Sequence, residues 1–131
     1  MDISTLIKTA ETIAVVGLSD NPERSSYGVA AYLQDAGFRI IPVNPGISEW
    51  KGIPAVASLT DIAGHVDIVD VFRRAEFVPQ IAEEAIAIGA TALWLQQSIR
   101  HEEAASRAQA AGLFVVQDRC LALEHSKLRD R

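Results

Sequence analysis

Apolar positions along this chain follow two alternating patterns. Short contiguous runs closed by glycine, proline or asparagine alternate with longer stretches whose apolar residues recur at helical spacing. The first contiguous run, Ile13-Ala14-Val15-Val16, is long enough for a buried strand and too short for a helix, and Gly17 closes it. A polar loop with Ser19, Asp20, Asn21, Pro22 and Arg24 follows. Ser25 and Ser26 then offer hydroxyls to cap a helix with Val29, Leu33 and Ala36 on its apolar face, ended by Gly37. Before the run, residues 3–11 read as a short amphipathic helix. After it, residues 38–43 read as a second strand stopped by Asn44-Pro45-Gly46, residues 46–52 as loop, 54–57 as a weak third strand and 58–61 as one helical turn. Residues 66–72, V-D-I-V-D-V-F, form a fourth strand, 76–88 a helix, 91–95 a fifth strand, 101–111 an alanine-rich helix, 113–116 a sixth strand and 120–128 a closing helix.

Strands that are apolar throughout, separated by helices, require a parallel sheet covered on both faces. The right-handed crossover rule makes this a doubly wound, Rossmann-like α/β sheet of five to six strands, ordered 3-2-1-4-5 with the sixth strand beyond. Ligands of such sheets bind outside the carboxyl ends of the strands, where the winding reverses between the first and fourth strands. Gly17-Leu18-Ser19, Val43-Asn44-Pro45, Val71-Phe72-Arg73-Arg74 and Trp94-Leu95-Gln96-Gln97 end the strands that meet there. The first connection is longer than the usual two to six residues of such loops, and it delivers a helix N-terminus, whose free N–H groups and dipole favour an anion. Arg73 and Arg74 face the same crevice as Arg24, an arrangement suited to phosphate. Asp70 is expected to orient Arg73 or a neighbouring backbone group.

Composition narrows the partners. The 131 residues are read as one domain, 1–131, and 49% hydrophobic content excludes disorder. No apolar run approaches a membrane span and the start lacks a signal-peptide pattern, so a cytoplasmic protein without a membrane role is expected. Cys120, the one cysteine, excludes an internal disulfide; it reads either as a small buried hydrophobe or as a thiol activated by the closing helix and Arg119. A net charge of -5 argues against nucleic acid. The three histidines, His65, His101 and His125, fit no serine–histidine–acid order or metal-ligand spacing.

The loop G-L-S-D-N-P lacks two of the three glycines of the dinucleotide fingerprint, and Asn44 stands where an acid would bind the NAD ribose. The motifs V-G-L-S-D-N-P-E-R-S-S-Y, I-I-P-V-N-P, V-D-I-V-D-V-F-R-R, L-W-L-Q and V-V-Q-D-R-C-L-A-L-E-H instead resemble those of the small bacterial CoA-binding domain proteins. These are similar in turn to the N-terminal CoA-binding domain of the succinyl-CoA synthetase alpha subunit. The resemblance spans about residues 12–128 and implies binding of coenzyme A or an acyl-CoA. It assigns Gly17, Ser19, Arg24, Ser25, Ser26 and Tyr27 to the pyrophosphate, Val43, Asn44, Pro45 and Lys51 to the nucleotide end, and Phe72, Arg73 and Arg74 to the phosphates and pantetheine. One departure is Gln97-Ser98-Ile99, where the family pattern has a glycine-containing turn. The synthetase carries its phosphorylated histidine in a second domain, so a non-catalytic binding module is expected. The alternative is a nucleotide-binding component of a CoA-ligase-type enzyme whose partner supplies catalysis, and the resemblance leaves room for a protein partner or a homo-oligomer.

Overall fold

In chain order the elements are α1 (Ile3–Thr9), β1 (Thr12–Val16), α2 (Ser25–Asp35), β2 (Arg39–Val43), β3 (Glu49–Trp50), β4 (Ile53–Pro54), β5 (Ile68–Val71), α3 (Val78–Ala87), β6 (Ala92–Leu95), α4 (Glu102–Ala110), β7 (Phe114–Val116) and α5 (Leu121–Arg129). The structure is a computed structural model that describes residues 1–129. Five strands form one parallel sheet in the order β2-β1-β5-β6-β7. Every residue of β1 is buried, which is why after Thr12 it is an unbroken apolar run, Ile13 to Val16, rather than an alternating one. Ala14 and Val16 point to the face covered by α3 and α4, where Ala82, Ala85, Ala104 and Ala108 pack. Ile13 and Val15 point to the face covered by α1, α2 and α5, against Leu6, Leu33 and Leu121. No helix among the described residues is long and apolar enough to cross a membrane.

The doubly wound Rossmann-like sheet is as the apolar runs require, with one strand fewer than the upper count. The expected third strand, residues 54–57, does not join the main sheet as a strand: Pro54 ends β4 of the hairpin, paired with Glu49, and Val56 makes a single bridge to Val43. Asn44 N–H donates to the Val56 carbonyl at 2.9 Å and Val56 N–H to the Pro42 carbonyl at 3.0 Å. Upstream, the chain is diverted into the β3–β4 hairpin, within the stretch 46–52 expected to be loop and just beyond it. The hairpin buries Trp50, and Pro54 has no N–H to offer a ladder.

Helix ends also differ for identifiable reasons. α1 is capped by Asp2, whose Oδ1 accepts the Thr5 N–H at 2.7 Å. It stops at Thr9 instead of residue 11, because the N–H groups of Glu11 and Thr12 donate to Asp67 Oδ2, each at 2.9 Å. Asp67 thereby fastens the entry to β1. The helix expected over 76–88 begins as a 3-10 turn, Ala75–Phe77, and becomes α-helical at Val78, with Pro79 in the first turn where its missing N–H costs nothing.

Candidate functional site

The loop after β1 is shaped by its own side chains. Ser19 Oγ accepts the Asn21 N–H and Asn21 Oδ1 accepts the Glu23 N–H, both at 3.0 Å. The expected serine cap is absent. Arg24 occupies the N-cap position of α2 without a capping side chain, and the Ser26 hydroxyl turns back to accept the Ser19 N–H at 3.0 Å. The Tyr27 and Gly28 N–H groups close onto the Arg24 carbonyl at 3.1 and 3.3 Å, which leaves those of Ser25 and Ser26 at the helix end uncapped by a side chain, with no acidic residue in that turn. Gly17, Ser19, Arg24, Ser25, Ser26 and Phe72 line a cavity of about 110 Å3 at this point.

Gly17 has φ +86°, and its N–H continues the ladder to the Val43 carbonyl at 2.8 Å. A Cβ at this position would lie 2.9 Å from Arg73 Cδ, so the absence of a side chain lets the arginine stem lie across the end of β1. The Arg73 guanidinium then rests 4.2 Å from the Phe77 ring centroid. Among the described residues, neither Arg24 nor Arg73 has a carboxylate within ion-pair distance. Arg74 differs: its side chain is 81% exposed and lies 3.5 Å from Glu76. Asp70 does not orient Arg73. It is fully buried on the face opposite α3, both carboxyl oxygens lack a hydrogen-bond partner among the described residues, and burial pushes its pKa well above the usual carboxylate value.

Two further cavities flank the small one. On the α2 side, about 290 Å3 is enclosed by Ser25, Val29, Phe72, Gln96, Gln97 and Cys120 together with Ile99, and Ser25 and Phe72 also line the small cavity. Cys120 is half-buried there, neither a sealed core residue nor a free surface thiol. On the α3 side, about 230 Å3 is lined by residues including Val43, Pro45, Arg73, Phe77, Gln80 and Glu84.

The remaining expected residues stand apart from these cavities. Tyr27 packs edge-on against Trp50, ring centroids 5.5 Å apart, and Lys51 Nζ sits 5.4 Å from the Trp50 ring at the hairpin turn. Asn44 is a fastener: its Nδ2 donates to the Leu18 carbonyl at 3.0 Å and its Oδ1 accepts the Gly46 N–H at 2.8 Å. The turn without glycine keeps a glycine-like conformation at Ser98, φ 75°, held by its N–H donating to Asp118 Oδ1 at 2.6 Å. Gln96, buried at the end of β6, accepts the Leu121 N–H at 3.1 Å and so positions the start of α5.

Cavity-lining residues that the sequence did not single out include Phe77, Gln80 and Glu84. Helical spacing assigns Phe77 to the core face, but the 3-10 turn rotates it outward to 37% exposure. The histidines have structural partners. His65 meets Thr91 Oγ1 at 3.1 Å near the amino ends of the strands, and His101 Nδ1 accepts the Ala104 N–H at 3.0 Å as the N-cap of α4. His125 Nδ1 meets the Tyr32 hydroxyl at 2.9 Å, and desolvation, with Arg129 adding to it, lowers its pKa. No group of three metal-ligating side chains occurs among the described residues.

Comparison with known proteins adds to this geometry. The model of the CoA binding domain matches residues 11–126. The uncharacterized protein YneT of Bacillus subtilis is 45% identical over 125 residues, covering 95% of this chain and 93% of that one. The structure of cell-free ID.343 from Thermus thermophilus superposes with a TM-score of 0.93 at 40% identity, covering 98% of this chain and 99% of that one. The alpha subunit of ADP-forming acetate–CoA ligase II from Pyrococcus furiosus is 35% identical over 69 residues, which cover 52% of this chain and 15% of the subunit. The enzyme relatives are therefore acetate–CoA ligases, and the likeness to succinyl-CoA synthetase is only a loose one.

Proposed function

The chain belongs to the CoA-binding domain family, and on that premise we propose that it binds coenzyme A or an acyl-CoA and catalyses no reaction on its own. The observation that carries the reading is the crevice at the end of β1. There the N-terminus of α2, with no acidic side chain in its first turn, and Arg24, with no carboxylate partner among the described residues, meet at a cavity lined by Ser19, Ser25 and Ser26. The Arg73 stem packs against Gly17 in its wall, and the residue lines the cavity on the α3 side. In an acidic protein, that concentration of donors suits a diphosphate, since a hydrogen bond to a charged group is worth about 1.5–3 kcal/mol. The nucleotide end would run toward Val43 and Pro45, and the pantetheine arm past Phe72 toward Gln96 and Cys120. Bound CoA supplies a thiol that carries acyl groups; the side chains around it bind and orient.

CoA at about a hundredfold excess over its Kd should stabilise the fold by about 2.7 kcal/mol, and NAD should not. A thermal-shift series in which NAD stabilises as much as CoA refutes this reading. A second reading, a component of a CoA ligase, is favoured by the match to the Pyrococcus furiosus subunit. Thioester formation by the purified chain with CoA, acetate and nucleoside triphosphate would replace the binding-module reading with an enzymatic one.

A further inference from the structure

The cavity on the α3 side has a wall that the phosphate cradle does not explain. Its base is apolar at Val43, and one side is the Phe77 ring with the Arg73 guanidinium stacked on it, 4.2 Å from ring centroid to Cζ. The opposite side is polar, and its free positions are acceptors. Glu84 Oε1 accepts the Leu59 N–H and Glu84 Oε2 accepts from Gln80 Nε2, each at 3.3 Å. An ionised carboxylate has about four lone-pair positions, so two long hydrogen bonds leave acceptor capacity unused. Gln80 commits an amide N–H to Glu84, which directs its own carbonyl oxygen away as a further acceptor. Glu84 and Gln80 bring acceptors to a pocket whose other side is the Phe77 ring and the Arg73 guanidinium; the Ser58 hydroxyl also lines it and is engaged with Thr60 Oγ1 at 2.7 Å.

Resting on the proposed placement of the nucleotide end, we propose that Glu84 and Gln80 determine base specificity by accepting the exocyclic amino group of adenine. A planar base fits against Phe77 and Arg73, because aromatic and guanidinium planes both stack on π-faces. With the base seated there, its 6-position meets a carboxylate. Adenine presents an N–H2 donor at that position; hypoxanthine and guanine present a carbonyl oxygen, which sets acceptor against acceptor. A site built to hydrogen-bond a group rejects an analogue lacking it far more strongly than a hydrophobic pocket rejects a change of size. The selectivity would thus reside in α3, an element the dinucleotide fingerprint does not include. Arg73 has two tasks in this arrangement, a stacking face toward the base and a cation beside the diphosphate.

Calorimetry at fixed ionic strength with CoA and its deaminated analogue, in which hypoxanthine replaces adenine, tests the proposal. The native protein should bind CoA at least about tenfold more tightly than the analogue. In Glu84→Gln the amide carbonyl still accepts the Leu59 N–H, so the fold is retained; the NH2 group takes the place of Oε2, Gln80 turns its amide to accept from it, and N–H donors then face the oxygen at the 6-position. The ratio of affinities should fall below about threefold, chiefly because the analogue binds better. A role of Glu84 confined to holding the 3-10 turn Leu59–Asp61 would weaken both ligands by the same factor and leave the ratio unchanged, which overturns the proposal. Equal binding of CoA and its analogue by the native protein also overturns it, with the CoA-binding reading intact. Failure of CoA to bind at all overturns both.

Discussion

Replacing Asp70 with valine should stabilise this protein, by an amount that grows with pH. Asp70 lies on the central strand β5, in register with Val15 on one side and Trp94 on the other, and is 0% exposed. Even when protonated, its carboxyl has no hydrogen-bond partner among the described residues. An unsatisfied buried polar group costs about 1–3 kcal/mol, and valine, of similar size and β-branched, removes that cost without opening a cavity. Ionisation adds a second term. Burial raises the native pKa well above the value of 3.8 that holds in the unfolded chain. The native state therefore keeps a proton that the unfolded state releases. Stability is free of this penalty below 3.8 and falls as pH rises, by up to about 1.4 kcal/mol per pH unit until the native carboxyl itself titrates. Urea unfolding of native and Asp70→Val protein, from about pH 5 to about pH 8, reads both terms: an offset at the acid end and a widening gap toward the alkaline end. A constant gap would mean that Asp70 titrates normally. A less stable variant would mean that its carboxyl is engaged in the native state, and would refute the reasoning.

Arg73→Ala should weaken CoA binding about 10- to 150-fold and make its salt dependence shallower, whereas Arg74→Ala should change affinity less than threefold, about 0.6 kcal/mol, because that side chain is exposed and drawn to Glu76. Titration at two ionic strengths checks this; equal effects of the two substitutions would count against it. Gly17→Ala should destabilise the fold by about 1–3 kcal/mol, since it places a Cβ at φ +86° and against the Arg73 stem. Chemical denaturation measures the loss, and a neutral substitution would show that the stem yields freely. Saturating CoA should slow modification of Cys120 by a bulky thiol reagent at least about tenfold, because the proposed pantetheine path shares its cavity. An unaltered rate would place the arm elsewhere.

The strands were legible where burial on both faces imposes a continuous apolar run, as in Ile13-Ala14-Val15-Val16; the ends of β1 at Val16 and β2 at Val43 followed directly, whereas the strand expected over 66–72 is shorter, Ile68–Val71. Less legible were features decided by contacts across the fold. Residues 54–57 resemble a strand locally, but Pro54 is taken into the hairpin that buries Trp50 and the rest keeps only one bridge to the main sheet. Ser25 and Ser26 are good caps by type, yet the Ser19 N–H competes for the Ser26 hydroxyl. Phe77, Gln80 and Glu84 fell outside the sequence-derived site because helical spacing cannot register a 3-10 turn that turns Phe77 outward. The partnerless state of Asp70 is likewise invisible to any local pattern.

The two crossings between the loops after β1 and β2 have a consequence for how binding could be sensed. Gly17 N–H to the Val43 carbonyl and Asn44 Nδ2 to the Leu18 carbonyl tie the two rims together at 2.8 and 3.0 Å. A rim whose β1 and β2 loops are tied in this way is preorganised, so that side of the crevice gives up little conformational freedom on loading. Loaded and empty forms would then share one outline, with no helix displaced to broadcast occupancy. A partner that distinguishes them would have to touch the ligand itself, which on the proposed path would emerge in the cavity lined by Phe72 and Gln97.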